Sequence, residues 1–199
     1  RKFATTQRSR LPVYRETEDH VLGFVHIKDM LWVLLDRDRR LEEGLPLPEP
    51  TLDLGCGDGH FASEAFHHKL AAGVDPWWLP LREARTRRMY HVLAQADGAR
   101  LPFPTGHFAG AVSNSVLEHI PDVDAVLLDL NRVLNSGATF IFCSPSEYFL
   151  EFLSISRFLR RLGLRSLAEA YERFFNRISR HHHCDSPEVW RERLGCAGF

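Results

Sequence analysis

With 199 residues, 44% of them hydrophobic, and a formal net charge of −1, the chain can build one well-buried core and carries no global charge to draw it to nucleic acid. Its four cysteines (Cys56, Cys143, Cys184 and Cys196) form no C-x-x-C pair, which argues against a disulfide framework and against a thiolate zinc site. No apolar run approaches the roughly 20 residues of a spanning helix, and no signal-peptide pattern is visible, so a cytoplasmic enzyme or binding domain is expected.

Residues 1–44 differ in character from the rest of the chain. Arg10–Tyr14 and Val21–Ile27 alternate as two strands joined by a polar turn, and 28–41 is apolar enough for a helix. Ser9-Arg-Leu-Pro-Val-Tyr14 and Gly23-Phe-Val-His-Ile-Lys-Asp-Met-Leu31 are similar to the later half of a CBS module, of the type in transporter-associated hemolysin/cobalt-efflux proteins. That resemblance implies that Asp29 would be the ribose-contacting acid of an adenosine-nucleotide site. The first strand and most of the first helix of such a module are absent, and these modules work in pairs. The plainer reading of 1–44 is a fusion remnant or an N-terminal cap.

The organising stretch comes next. Behind the Pro-rich punctuation of residues 45–50, Thr51–Leu54 reads as a short buried strand, followed by alternating glycines and the helix start His60–Phe66. Strand, glycine turn and helix make the corner where backbone N–H groups face a ligand with no Cβ in the way. A dinucleotide fingerprint would need a third glycine at His60, and a P-loop would need Lys after the glycines. The spacing is instead D-x-G-x-G-x-G, carried by Asp53, Gly55, Gly57 and Gly59.

From there strands and helices alternate. Leu70–Asp75 and His91–Asp97 read as strands ending in acids, with an Arg-rich helix over 79–90 between them. Phe108–Ser113 is a fourth strand, and Asp122–Leu134 a helix with one apolar stripe. Asn135-Ser-Gly137 should end that helix as a C-cap, leaving Ala138–Cys143 as the fifth strand. The pattern predicts an α/β, Rossmann-like doubly wound, mostly parallel sheet with helices on both faces, plus the small N-terminal β-β-α piece.

Asp53-x-Gly-x-Gly-x-Gly59 resembles motif I of the class I S-adenosylmethionine (SAM)-dependent methyltransferases. Ala96-Asp-Gly-x-x-Leu-Pro-Phe103, Phe108 to Pro121 and Leu130 to Phe142 resemble later motifs of the same family, in its ubiquinone/menaquinone-biosynthesis-like small-molecule branch. Asn135-Ser136 departs from the usual Lys/Arg-Pro-Gly turn but keeps the glycine. The resemblance implies SAM as cofactor, held by Asp53, Gly55, Cys56, Gly57, Gly59, Asp75, Pro76, Asp97, Gly98, Asn114 and Ser115. Asp75 would accept from both ribose hydroxyls, and Asp97 from the adenine amino group. Taken alone, Asp75-Pro76 would be ordinary turn chemistry. His119, just past the fourth strand, is the candidate general base; the simpler role of Glu118-His119 is to hold a helix start.

Residues 147–185 form an insert expected to be a helical lid over the acceptor. Seven Arg stand against two Glu between Arg157 and Arg180, and Tyr148, Arg157, Arg160 and Arg161 are its candidate acceptor-facing residues. The basic face suits an anionic head group or a membrane surface, or is simply solvated. The run His181-His-His183 before Cys184 has no matching carboxylate motif, so no metal site is expected. Ser186-Pro187-Glu188 starts a last helix. Beyond Ala197-Gly-Phe199 the family continues into a sixth and seventh strand, so 45–199 reads as a methyltransferase domain lacking them. The expected activity is methyl transfer from SAM to a small-molecule or lipid-linked acceptor. The alternatives are an aminopropyl transferase, which would want acids for its polyamine, and a non-catalytic SAM or adenosine-nucleotide sensor.

Overall fold

The computed structural model describes residues 10–14, 21–26, 47–150 and 152–199. The helix expected over 28–41, with Asp29, lies outside the described residues. In the N-terminal unit, β1 (Arg10–Tyr14) and β2 (Val21–His26) pair antiparallel as the alternation predicts, with a register shift between Val13 and Tyr14.

The second unit is built on five parallel strands: β3 (Thr51–Leu54), β4 (Leu70–Asp75), β5 (Tyr90–Gln95), β6 (Phe108–Asn114) and β7 (Leu134–Cys143). Their order across the sheet is β5-β4-β3-β6-β7. The chain winds outward from β3 in one direction and then, from β6, in the other. That reversal is the topological switch point where open α/β sheets hold ligands, outside the carboxyl ends of the strands. All four residues of β3 are buried, as a central parallel strand covered on both faces requires.

Six α-helices are described, α1 (His60–Ala65), α2 (Trp78–Arg87), α3 (Val123–Val133), α4 (Ser154–Arg161), α5 (Arg165–Ser179) and α6 (Pro187–Ala197), with a short 3-10 turn at Leu117–His119 after β6. In α3, Val123, Val126, Leu127, Leu130 and Val133 are buried at helical spacing while Leu128 faces solvent. The Asp122 carboxylate caps it, accepting from Ala125 N–H at 3.2 Å. This stripe packs with Leu52, Leu54, Val74, Phe108 and Trp190 into the main core. Each fully buried side chain of this size stabilises the fold by roughly 1.5–3 kcal/mol. Ser186 caps α6 by accepting from Val189 N–H, with Pro187 in the first turn, as the sequence predicts.

Several boundaries differ from expectation: α2 covers Trp78–Arg87 rather than 79–90, and β5 ends at Gln95, which leaves Asp97 in the loop beyond the strand rather than at its end. Strand β5 starts at Tyr90 rather than His91, because Arg88 ends α2 in the left-handed conformation (φ 58°). Asn135-Ser-Gly137 is no helix cap: α3 ends directly into extended Leu134, which pairs with Phe108. The chain then loops out, with Gly137 at φ 79°, and pairing resumes at Thr139 opposite Gly110.

Arg132 fastens the loop that follows β5. Its guanidinium forks onto Asp129 (Nε–Oδ1 2.7 Å, Nη2–Oδ2 3.0 Å) and donates to the carbonyls of Phe103 (2.8 Å) and Leu101 (3.0 Å). Asp129 in turn accepts from Leu101 N–H at 2.6 Å. The pairing holds the Asp129 carboxyl below its ordinary range. Replacing Arg132 by Ala should lower the unfolding free energy by about 1–3 kcal/mol, several charge-assisted bonds being discounted for partial exposure. Urea denaturation would read this as a lower midpoint; an unchanged midpoint would mean that the loop is held by other contacts.

Candidate functional site

Most of the residues grouped by sequence lie at the carboxyl ends of β3, β4 and β6, with Asp97 and Gly98 in the loop after β5. Gly55 has φ 75°, and a Cβ there would stand 2.4 Å from Val116 Cγ1, so no other residue fits the turn. Gly57, at φ 53°, has no atom within 4 Å of where its Cβ would be: the loop opens onto free space at that point. The N–H groups of Gly55 and Cys56 donate to the Val74 carbonyl at 2.8 and 2.9 Å, tying the loop to the end of β4.

Asp75 completes the cradle. Its Oδ2 accepts from Gly57 N–H at 3.0 Å and its Oδ1 from Trp77 N–H at 2.9 Å. The carboxylate is therefore oriented by two backbone donors and keeps further acceptor capacity on both oxygens. Pro76, Trp77 and Trp78 follow it and are exposed. Sequence reasoning misses the two tryptophans, because a helix start rich in apolar residues gives no sign that both rings face outward.

Asp53 and Cys56 serve the loop from beneath rather than lining the open space. Tyr90 Oη donates to Asp53 Oδ2 at 2.6 Å in a buried pair. The ring can cross β4 because position 73 is glycine: a Cβ there would lie 2.9 Å from Tyr90 and 3.0 Å from Cys56 Sγ. Burial first, and then the Asp53 carboxylate, push the Tyr90 hydroxyl far up, so it always donates. Burial raises Asp53 to about 7; the Tyr90 bond lowers it, and the charge of Asp75 raises it further. The Cys56 thiol is pushed far up by burial and by the same two acids, and stays neutral.

Across the switch point, Asn114 ends β6 with its Oδ1 buried and unpartnered, and Ser144 Oγ just past β7 is likewise without a partner. Ser115 adopts φ 55°, a left-handed conformation rare outside glycine, and its N–H donates to the Cys143 carbonyl at 3.0 Å. Asp97 is exposed, its Oδ1 accepting from Ala99 N–H at 2.9 Å. Gly98 packs against α3, where a Cβ would stand 3.1 Å from Val126. An open space over Gly57, an oriented carboxylate at Asp75, an exposed one at Asp97 and an unpaired acceptor at Asn114 match a cofactor with a ribose diol, an amino-purine and an ammonium group.

The insert folds as the helix pair α4–α5. Arg160 is not free to meet an acceptor: it binds Glu172 through Nε–Oε1 (3.1 Å) and Nη2–Oε2 (3.0 Å), and Ser156 Oγ also donates to Glu172. Glu172 is buried, so Arg160 braces the pair from within. Arg157 and Arg161 are exposed, Arg157 lying over the Phe152 ring at 5.9 Å; Tyr148 is also exposed. His119 Nδ1 lies 3.3 Å from the Arg180 carbonyl, which can only accept, so Nδ1 carries the proton. Its Nε2 points toward Glu118, 4.0 Å from Oε1. The histidine run is clasped to the same turn, His182 N–H donating to the Glu118 carbonyl at 2.6 Å and the His183 side chain, through Nε2, to that of Ile120 at 3.0 Å.

A five-stranded parallel sheet in this order, with a glycine loop, an acid on the neighbouring strand and a polar end to the fourth strand, is the fold and cofactor corner of class I SAM-dependent methyltransferases. Residues 52–142 match the family described as "Methyltransferase domain". Over 101 residues the chain is 32% identical to the malonyl-[acyl-carrier protein] O-methyltransferase of Legionella pneumophila, a match covering 48% of this chain and 36% of that protein. The chain thus spans about a third of the length of that curated relative. A SAM-dependent methyltransferase structure from Thermotoga maritima superposes with a TM-score of 0.60 at 20% identity, over 84% of this chain and 70% of that one. A methyltransferase structure from Bacillus halodurans gives 0.59 at 21% identity, over 86% and 69%. At such identities these two show the shared fold. SAM is the cofactor of this class, and the residues of the cradle fit it.

The Asp53 environment makes a pH-dependent prediction. A folded-state pKa near 7, above the ordinary 3.8, means that the native state holds a proton which the unfolded chain has lost. Stability from this group is full below about pH 4 and declines as pH rises toward 7. Asp53→Asn removes the titration while keeping an acceptor for Tyr90. The melting temperature of the variant relative to the parent should therefore rise between pH 5 and pH 8. A difference constant over that range would show that Asp53 does not titrate there.

Proposed function

We propose that this chain transfers a methyl group from SAM to a small-molecule or lipid-linked acceptor bearing an anionic group. The observation that carries the cofactor half is the cradle, in which Gly57 opens onto free space while its N–H fixes the Asp75 carboxylate. When bound, the cofactor supplies an activated methyl group on its sulfonium. The protein's own task is alignment and exclusion of water, and positioning can supply up to roughly 7–11 kcal/mol of barrier lowering. Asp75 would orient the ribose, Asp97 would accept from the adenine amino group, and Asn114 Oδ1 would take the ammonium end.

The acceptor half rests on the insert. Arg157, Arg161, Arg165, Arg173, Arg177 and Arg180 are all exposed, interleaved with exposed Phe158, Leu162, Leu167, Phe174 and Ile178. Cations among apolar side chains suit an amphiphile with an anionic head, including one presented at a membrane surface. Among the described residues no helix is long and apolar enough to cross a membrane. The Legionella relative, named for methylating a malonyl group on acyl carrier protein, points the same way. A carboxylate acceptor carries no proton to remove, so this reading does not require His119 as general base.

Incubation with methyl-labelled SAM and separate pools of carrier-linked malonyl thioester, anionic lipids and quinone precursors tests the activity. Label should enter an anionic acceptor, and Arg157→Gln with Arg161→Gln should raise its KM while leaving SAM affinity nearly unchanged. Absence of label from every pool, with SAM bound, would favour a sensor instead. For the cofactor, Asp75→Asn removes charge and one acceptor, at about 1.5–3 kcal/mol per charge-assisted bond. Calorimetric titration should show SAM and S-adenosylhomocysteine weakened equally, by roughly 10- to 150-fold. Unchanged affinity in a variant that melts normally would remove Asp75 from the site.

A further inference from the structure

The sequence separates Glu118-His119 from His181, but the clasp between the turn after β6 and the segment leaving α5 brings them together. One ligand atom from each of Glu118, His119 and His181 lies within 4.8 Å of the other two. Glu118 is 1% exposed, yet its Oε2 has no hydrogen-bond partner, and His181 Nδ1 is also buried and unpartnered. An unpaired buried carboxylate oxygen is costly unless something cationic meets it. The imidazoles of His119 and His181 stand with ring centroids 5.0 Å apart.

We propose that Glu118, His119 and His181 form a binding site for one divalent first-row transition ion, with zinc the best match. The tautomer of His119 is already set for it. Nδ1–H donates to the Arg180 carbonyl, which leaves the Nε2 lone pair facing Glu118, the backbone-carbonyl arrangement that commonly orients metal-binding histidines. Two imidazoles and a carboxylate disfavour magnesium and calcium, which take oxygen shells, and suit zinc or its neighbours. Ligand atoms held at roughly 2.0–2.2 Å by one tetrahedral ion stand about 3.3–3.6 Å apart, so atoms that lie within 4.8 Å of one another close by up to about 1.5 Å when the ion binds, a shift that side-chain rotation supplies. Three protein ligands leave a position open for water or an oxygen ligand, as in catalytic rather than structural sites. The site lies beyond the carboxyl end of β6, like the glycine loop beyond that of β3. A role for the ion in holding an acceptor oxygen would rest on the methyl-transfer reading; the binding of the ion does not.

Cobalt(II) and zinc(II) alone are the probes. Titration of the metal-stripped protein with cobalt should give one equivalent bound, with visible ligand-field bands that one equivalent of zinc removes. Loss of an outer-shell partner already weakens such sites by about 10–100-fold, so Glu118→Gln and His181→Ala should each weaken binding at least about tenfold. His182→Ala, altering the exposed neighbour, should bind as the parent does. Calorimetric titration with S-adenosylhomocysteine on the same samples separates this site from the cofactor cradle and reports whether each variant is folded. No stoichiometric cobalt binding by the parent would overturn the proposal. So would equal binding by a folded His181→Ala, or loss of binding in His182→Ala, which would move the ion elsewhere on the histidine run.

Discussion

The hydrogen bond from Tyr90 to Asp53 sits beneath everything that makes the glycine loop a binding surface. The Tyr90 ring leaves the start of β5, crosses β4 where Gly73 offers no side chain, and reaches the carboxylate on β3 at 2.6 Å. The same ring fills the space under Gly59, where a Cβ would stand 3.3 Å away. Three neighbouring strands and the loop are thus referred to one aromatic wedge. Asp53, desolvated by burial and then facing the charge of Asp75, keeps its own charge at neutral pH only with difficulty, so the floor of the site is electrostatically tense by construction. A cation above it would relieve that tension, which is a physical reason for a positively charged cofactor to favour this corner.

Above that floor, order is provided mainly by backbone. Asp75 is aimed by two N–H groups and the loop is tied to β4 by two more, so the cradle needs little ligand-induced assembly. The opposite side is less settled, with unpaired Asn114 Oδ1, unpaired Ser144 Oγ and a left-handed Ser115. Strain and unpaired polar atoms collected at the ends of two adjacent strands, β6 and β7, are where a sheet departs from being merely structural.

What can be read from the sequence is what depends on neighbours along the chain. Ser186-Pro187, Asp122 and the period of α3 act within one turn, and their spacing is visible in the letters. The D-x-G-x-G-x-G register is legible for the same reason, because each glycine answers a local backbone demand. Tyr90 reads only as the end of a helix, since its role depends on Gly73 and Asp53 across two strands. Arg160 groups with the exposed arginines by sequence because nothing local marks Glu172 as its buried partner. Asn135-Ser-Gly137 has cap composition but sits where the sheet needs slack to restore pairing between β6 and β7. The proximity of His119 to His181 is a product of topology, and no spacing rule contains it.

The bracing of Glu172 by Ser156 and Arg160 has a consequence for how such a protein can change. Helices α4 and α5 pack chiefly on each other and carry their own internal charge compensation. A hairpin with such internal bracing can be resurfaced on its outer side without disturbing the sheet, as a tool head is reground on a fixed handle, so long as the clasp of residues 180–183 to the turn after β6 is kept. Variation confined to its outer residues would then retune what is admitted while the reagent end stays constant.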